Sequence, residues 1–236
     1  MRRMMMMSAV LLAAMISGCA NPADDVAQAT VGAPVPETTP TASAPETTPT
    51  AHVPGTTPTA STAPVATGNA LVLAPETSKI GFVGSKVTGS HAGGFKAFAG
   101  TIELTEDGKG VRAMTADIDM ISTWSDNEKL TGHLKAPDFF DVAKFPKATF
   151  VSTEITPGGE KDATHTVTGN FTLHGVTKSI KFPVKIAVTD GSAKVDSEFF
   201  INRQDFGIVY GGQANNLIRD EVVIKLALNG TRPPGQ

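Results

Sequence analysis

The side chains of this 236-residue chain with chemistry to offer are five histidines, one cysteine and scattered carboxylates. Zinc or iron would need three or four ligands converging, commonly announced by His-x-His or His-x-x-x-His spacing. His91, His133, His165 and His174 share no such spacing, so no metal site is written locally. An acyl-transfer nucleophile would need a Gly-x-Ser-x-Gly elbow or a free cysteine beside a base. The elbow does not occur, and the one thiol, Cys19, lies near the N-terminus. Asp205-Phe206-Gly207 spells the magnesium triplet of protein kinases, but neither a Gly-rich loop nor a His-Arg-Asp sequence accompanies it. Asp126, Asp138 and Asp141 are not paired by spacing. The pattern is that of a protein that is not an enzyme and has no cofactor. The enzymatic alternative is a histidine and a carboxylate that meet only after folding.

The cysteine has a context of its own. Arg2 and Arg3 precede Met4–Ile16, an apolar run of 13 residues. That is too short to cross a bilayer and suits a signal peptide. Ile16-Ser17-Gly18-Cys19 resembles the lipobox of bacterial lipoproteins. The resemblance implies that residues 1–18 are removed and that Cys19 is acylated. The exported chain would then be held on a membrane, in the periplasm or facing the outer membrane. Two or more acyl chains anchor stably where one does not. With Cys19 so used, no disulfide is available and the fold must rest on its core. Cleavage would remove Arg2 and Arg3, so 20 basic residues become 18 against 23 acidic ones, and the formal charge moves from −3 to −5. That balance argues against nucleic acid as a partner.

Residues 19–69 are rich in Pro, Thr and Ala and carry a nine-residue repeat beginning at Pro36, Pro45 and Pro54. No unit has an apolar face to stack, so a solenoid is excluded and a disordered tether is expected. Such a tether spans roughly 35–40 Å as a coil and up to ~140 Å extended. His52 lies within it.

The remaining sequence, residues 70–231, is of single-domain size, and residues 232–236 are a tail. Period-two alternation marks strands with one buried face. It runs through 79–88, 98–105, 111–122, 147–156, 164–173, 176–188, 192–202 and 220–229. In 176–188, Ile180, Phe182, Val184, Ile186 and Val188 share a face, and Pro183 marks an edge or bulge because it has no N–H to donate. Short turns (Asp107-Gly108, His174-Gly175, Asp190-Gly191) make most neighbours antiparallel. One helix is signalled by Ser125 as N-cap with Glu128 three residues on, and ends at Pro137. Phe139, Phe140 and Phe145 follow it and are expected to plug one end of the sheet. Eight such strands form either a closed barrel or a two-sheet sandwich.

Four ordered stretches, LTGHLKAPDFFDV (130–142), FPKATFVSTEI (145–155), VTGNFTLHGVTKSIKFPVKI (167–186) and FFINRQDFGI (199–208), resemble the YceI-like family, and the likeness covers essentially all of 70–230. It implies an all-β fold: an extended eight-stranded antiparallel lipocalin-like barrel with one short α-helix. It also implies a long apolar ligand inside, of polyisoprenoid, isoprenoid-quinone or fatty-acyl type. Face alternation and aromatic size then select Ile80, Phe82, Phe98, Met114, Ile118, Met120, Trp124, Phe139, Phe140, Phe171, Phe182, Val184, Phe199 and Phe206 as lining residues. Trp124, the sole tryptophan, also reads as core packing. The expected partners are an apolar lipid and, through Cys19, a membrane; the oligomeric state is left open, a homodimer included. The resemblance thus implies a membrane-tethered carrier or stress-related lipid-binding protein; the alternatives are an enzyme acting on a lipid or quinone at the barrel mouth and a structural or interaction barrel filled only with side chains.

Overall fold

The computed structural model describes residues 21–36, 69–213 and 216–233. The expected signal peptide, Cys19 and the repeats from residue 37 to 68 lie outside the described residues.

The barrel is a simple meander in which each alternating stretch supplies one stave. The first three staves are bent, each broken into two strands: Ala70–Leu73 (β3) with Lys79–Lys86 (β4), Gly89–Phe95 (β5) with Phe98–Leu104 (β6), and Val111–Asp119 (β7) with Thr123–Ser125 (β8). The other five are Lys147–Pro157 (β9), His165–Leu173 (β10), Val176–Thr189 (β11), Ser192–Asn202 (β12) and Asn216–Thr231 (β14), the last paired at its start with the two-residue strand Gly212–Gln213 (β13). Each is antiparallel to the next, and β14 pairs both with β12 and with β3 and β4, which closes the ring. The fold is therefore the expected all-β, closed eight-stranded antiparallel barrel with one helix.

Turn chemistry behaves as written. His174 and Gly175 both take positive φ, 52° and 73°, as a two-residue hairpin requires. His174 Nδ1 lies 3.3 Å from the Phe206 carbonyl, and its ring packs on Phe145 at 4.7 Å. The helix, Glu128–Leu134 (α1), starts later than expected. Its N-cap is Asn127, whose Oδ1 accepts from Leu130 N–H at 3.1 Å. Ser125 instead donates to the Asn127 carbonyl at 2.7 Å, bracing the approach to the helix. Both Ser and Asn can cap, and tertiary placement chose between them.

Residues 21–36 correct the expected tether. Ala27–Gln28 (β1) runs parallel to β12, and Thr30–Gly32 (β2) runs antiparallel to β11. The physical cause is Pro183. The β11–β12 ladder ends at Lys185 opposite Asp196, just before the proline that cannot donate. Beyond it the two strands part, and the N-terminal strap fills the gap. Ala29 N–H donates to the Phe200 carbonyl at 2.9 Å, and Val31 lies opposite Ile180. Asn170 on β10 grips the strap from both sides: Oδ1 accepts from Val35 N–H at 2.9 Å, and Nδ2 donates to the Val35 carbonyl at 2.7 Å. The segment lacks the alternation of a full strand but carries enough small and β-branched side chains to seat itself; Ala29 is 2% exposed.

The two ends of the barrel consequently differ. At the end holding the 104–111 and 189–192 turns the wall has eight strands, just wide enough for side chains to fill. Leu71, Ile102, Val167, Val184, Ala193 and Val195 fill it, each at most 1% exposed. Toward the other end the strap adds a ninth strand to the wall, and α1 with its aromatic loop sits beside β8. That half flares.

Candidate functional site

The flared half encloses a cavity of about 180 Å³ lined almost wholly by hydrocarbon. Its walls come from inward positions of β4, β7, β9–β12 and β14, and its lip from the loop after α1. Phe82, Phe95 and Phe140 form an aromatic cluster there, with ring centroids 5.8–6.4 Å apart. Phe182 and Phe199 stack at 4.2 Å on the two strands that part around the strap. Gly93 makes the Phe82 position feasible: a Cβ there would stand 2.4 Å from Phe82 Cζ.

Ten of the fourteen residues selected from the sequence line this cavity: Ile80, Phe82, Met114, Ile118, Met120, Phe139, Phe140, Phe171, Phe182 and Phe199. Four do not. Val184 faces inward but lies in the filled end, below the cavity. Phe98 is buried and paired with Ile118 at the kink between β5 and β6, without reaching the space. Phe206 is fully buried in a 3-10 turn, Arg203–Phe206, with its ring against Phe171 at 5.3 Å. Trp124 faces outward, 38% exposed, opposite Gly94; Thr123 takes the inward position and donates to the Met120 carbonyl at 2.7 Å. Core packing therefore fails for Trp124 as well. Alternation assigns a face but no height along the barrel, and a change of one residue in register reverses even the face.

Several lining residues were not selected. Phe150 and Ala148 alternate along β9, so their signal was present in the sequence. Phe95 ends the Gly-rich stretch GSHAGGF, which has no apolar period to read. Arg203 and Arg219 also line the cavity.

The polar groups near the mouth form pairs rather than a catalytic constellation. His133 Nε2 lies 2.8 Å from Asp138 Oδ2, and its ring packs on Phe139 and Tyr210 at 4.9 and 5.0 Å. His91 Nδ1 lies 2.8 Å from Asp126 Oδ1. Asp126 also accepts from Ala92 N–H at 2.9 Å, and that bond, followed by the histidine, holds its carboxyl below the usual range. A histidine and a carboxylate do meet, but neither pair lines the cavity. No group of three or more His, Cys, Asp or Glu side chains placed to hold a metal occurs among the described residues.

Comparison with known proteins agrees with this architecture. The profile of the YceI-like domain matches residues 71–229. A UPF0312 protein of Pseudomonas putida (strain W619) is 31% identical in an alignment over 182 residues that covers 70% of this chain and 91% of the relative. A UPF0312 protein of Pseudomonas fluorescens (strain SBW25) is 33% identical over 135 residues, 53% of this chain and 68% of the relative. Among solved structures, Burkholderia cenocepacia BcnA superposes with a TM-score of 0.59 at 26% identity, covering 67% of this chain and 99% of that one. A polyisoprenoid binding domain from Saccharophagus degradans, implicated in plant cell wall breakdown, superposes with a TM-score of 0.54 at 18% identity, covering 70% and 99% of the two chains. The latter likeness is one of fold. The matched span begins at residue 71, so the strap lies outside it. The chain belongs to the YceI-like family.

Proposed function

We propose that this YceI-like protein is a non-enzymatic lipid-binding barrel that takes the apolar chain of a polyisoprenoid, isoprenoid quinone or fatty-acyl lipid into its flared half. The carrying observation is the hydrocarbon-lined cavity between a filled barrel end and an aromatic lip. Apolar burial supplies ~0.8 kcal/mol per CH₂ relative to water and needs no polar signature. Membership of the family and the polyisoprenoid binding of the Saccharophagus domain support the same reading.

Size refines the mechanism. Ligand pockets commonly measure ~300–1,000 Å³, and an apolar cavity of ~150 Å³ holds one benzene. At about 180 Å³ the resting cavity takes a ring-sized group, not a long chain. A long chain therefore enters only if side chains of the cavity wall, the Phe82, Phe95 and Phe140 rings among them, move apart. A chain drawn from a bilayer gains little by moving between two apolar places, so the ligand exchanges rather than being permanently captured.

The strap changes how a membrane anchor would act. Cys19 is two residues from Asn21, within about 7 Å of it even when extended. Asn21–Val26 lies at the filled end, where Lys161 Nζ donates to the Asp25 carbonyl. Acylation of Cys19 would hold the filled end against the membrane and present the mouth away from it. The reach of a tether spanning all of residues 19–69 is then not open to the barrel while the strap is seated.

Native mass spectrometry of the full chain bearing Cys19→Ser, purified from a bacterial host without detergent, tests the reading. A stoichiometric noncovalent lipid, named by its extract, is the expected result. A bare mass that persists after incubation with prenyl and acyl lipids would overturn it in favour of a barrel filled by its own side chains.

A further inference from the structure

The cavity is apolar, yet Arg203 and Arg219 are among the residues that line it. Arg203 is buried and fully engaged: Nη2 donates to Asp220 Oδ1 at 2.8 Å, Nη1 to the Ile208 carbonyl at 2.5 Å, and Nε to the Arg219 carbonyl at 3.2 Å. Its charge is met by Asp220. Arg219 differs. It lines the cavity, is half-buried, and has no carboxylate partner among the described residues.

The backbone explains its position. Along β14 the pairing with β4 slips between Ile218 and Val222, leaving 219–221 as a bulge. Bulges re-aim side chains and leave residues outside the ladder. Here Arg203 supports this one at two points, through the carbonyl of Arg219 and the carboxylate of Asp220. A buried cation thus pins the bulge that carries Arg219. A long cationic side chain on an apolar wall lays its stem along the hydrocarbon and keeps its head at the water boundary.

We propose that Arg219 is a head-group site and that the barrel selects amphiphiles with an anionic head, a carboxylate or a phosphate monoester, over neutral chains of the same length. This rests on the lipid-binding reading above and adds the chemistry of the polar end. The chain enters the apolar cavity while the head stays at the mouth, where the guanidinium offers the donor fork suited to planar carboxylate and phosphate oxygens. No covalent step is involved. Arg203 is a positioning residue for this site.

Isothermal titration of the full chain bearing Cys19→Ser with two matched pairs tests it: palmitate against hexadecanol, and geranylgeranyl phosphate against geranylgeraniol. A charge-assisted contact at a half-buried site predicts roughly 10- to 100-fold tighter binding of the anionic member in at least one pair. The pair that shows it identifies carboxylate or phosphate as the source. On Arg219→Gln the anion and its matched alcohol should bind with equal affinity, whatever that affinity is, while Arg219→Lys should keep part of the preference. Equal binding of anion and alcohol, or a preference that survives Arg219→Gln in a protein with unchanged Tm, overturns the head-group site and leaves the lipid carrier standing. Binding of no member of either pair overturns the carrier reading and this inference with it. Should Arg219→Gln fail to fold, the wild-type comparison and its loss on raising salt decide the matter.

Discussion

Replacing Asn170 with alanine should release the N-terminal strap while leaving the barrel intact. Asn170 is buried, and its amide makes two bonds to the Val35 backbone, at 2.9 and 2.7 Å. Each neutral bond contributes ~1 kcal/mol net, so about 2 kcal/mol is lost. That raises the opening equilibrium of the strap about 30-fold. The readout is hydrogen exchange at Ala29, whose N–H donates to the Phe200 carbonyl at 2.9 Å, and at the paired residues of β2. Their protection should fall about 30-fold, while amides of the β9–β10 ladder keep theirs, because local and global opening are separate processes. Asn170→Asp should not rescue the clamp at pH 7, since a carboxylate oxygen would face the Val35 carbonyl where Nδ2 donates and a buried charge would be left unpaired. Equal strap protection in wild type and Asn170→Ala would refute the clamp. Absence of any protection at Ala29 in wild type would refute the ninth strand itself.

Two further outcomes follow from local geometry. Gly93→Ala should displace the Phe82 ring, because a Cβ would stand 2.4 Å from Phe82 Cζ and 2.6 Å from the Trp124 carbonyl; overpacking of this kind costs ~1–3 kcal/mol, and a denaturation midpoint unchanged from wild type would contradict it. Asp126, held below its ordinary pKa of 3.8 chiefly by Ala92 N–H, contributes stability that is present above that value and lost as pH falls through the lower folded value. Asp126→Asn should therefore be slightly less stable than wild type at pH 7 and converge with it toward pH 3, the effect being small because the side chain is 46% exposed. A stability gap that widens on acidification would show the opposite sign.

Much of this architecture was legible because it depends on local periodicity. A strand with one buried face must alternate, so 176–188 and 192–202 announced themselves, and a two-residue hairpin needs positive φ, so His174-Gly175 did too. Pro183 signalled a break in the ladder for the same local reason: it has no N–H. The meaning of that break was not local. Only the folded chain shows that β11 and β12 part beyond Lys185 and that residues 27–32, more than 140 positions away in sequence, fill the gap. Composition alone reads that segment as a disordered tether. Likewise the sequence distinguished inward from outward for most strands, yet Phe182 and Val184 occupy the same face and have different fates, one at the cavity and one in the filled end. Height along a barrel is set by strand stagger and by how many strands share the wall at each level, neither of which any single segment encodes. Arg219 joins the cavity wall from a bulge pinned by Arg203, sixteen residues earlier, a contact that exists only once β12 and β14 are paired. The residues alone determined an antiparallel barrel with apolar inner faces; tertiary structure decided that half of it is solid and half hollow, because only assembly sets the circumference of the wall.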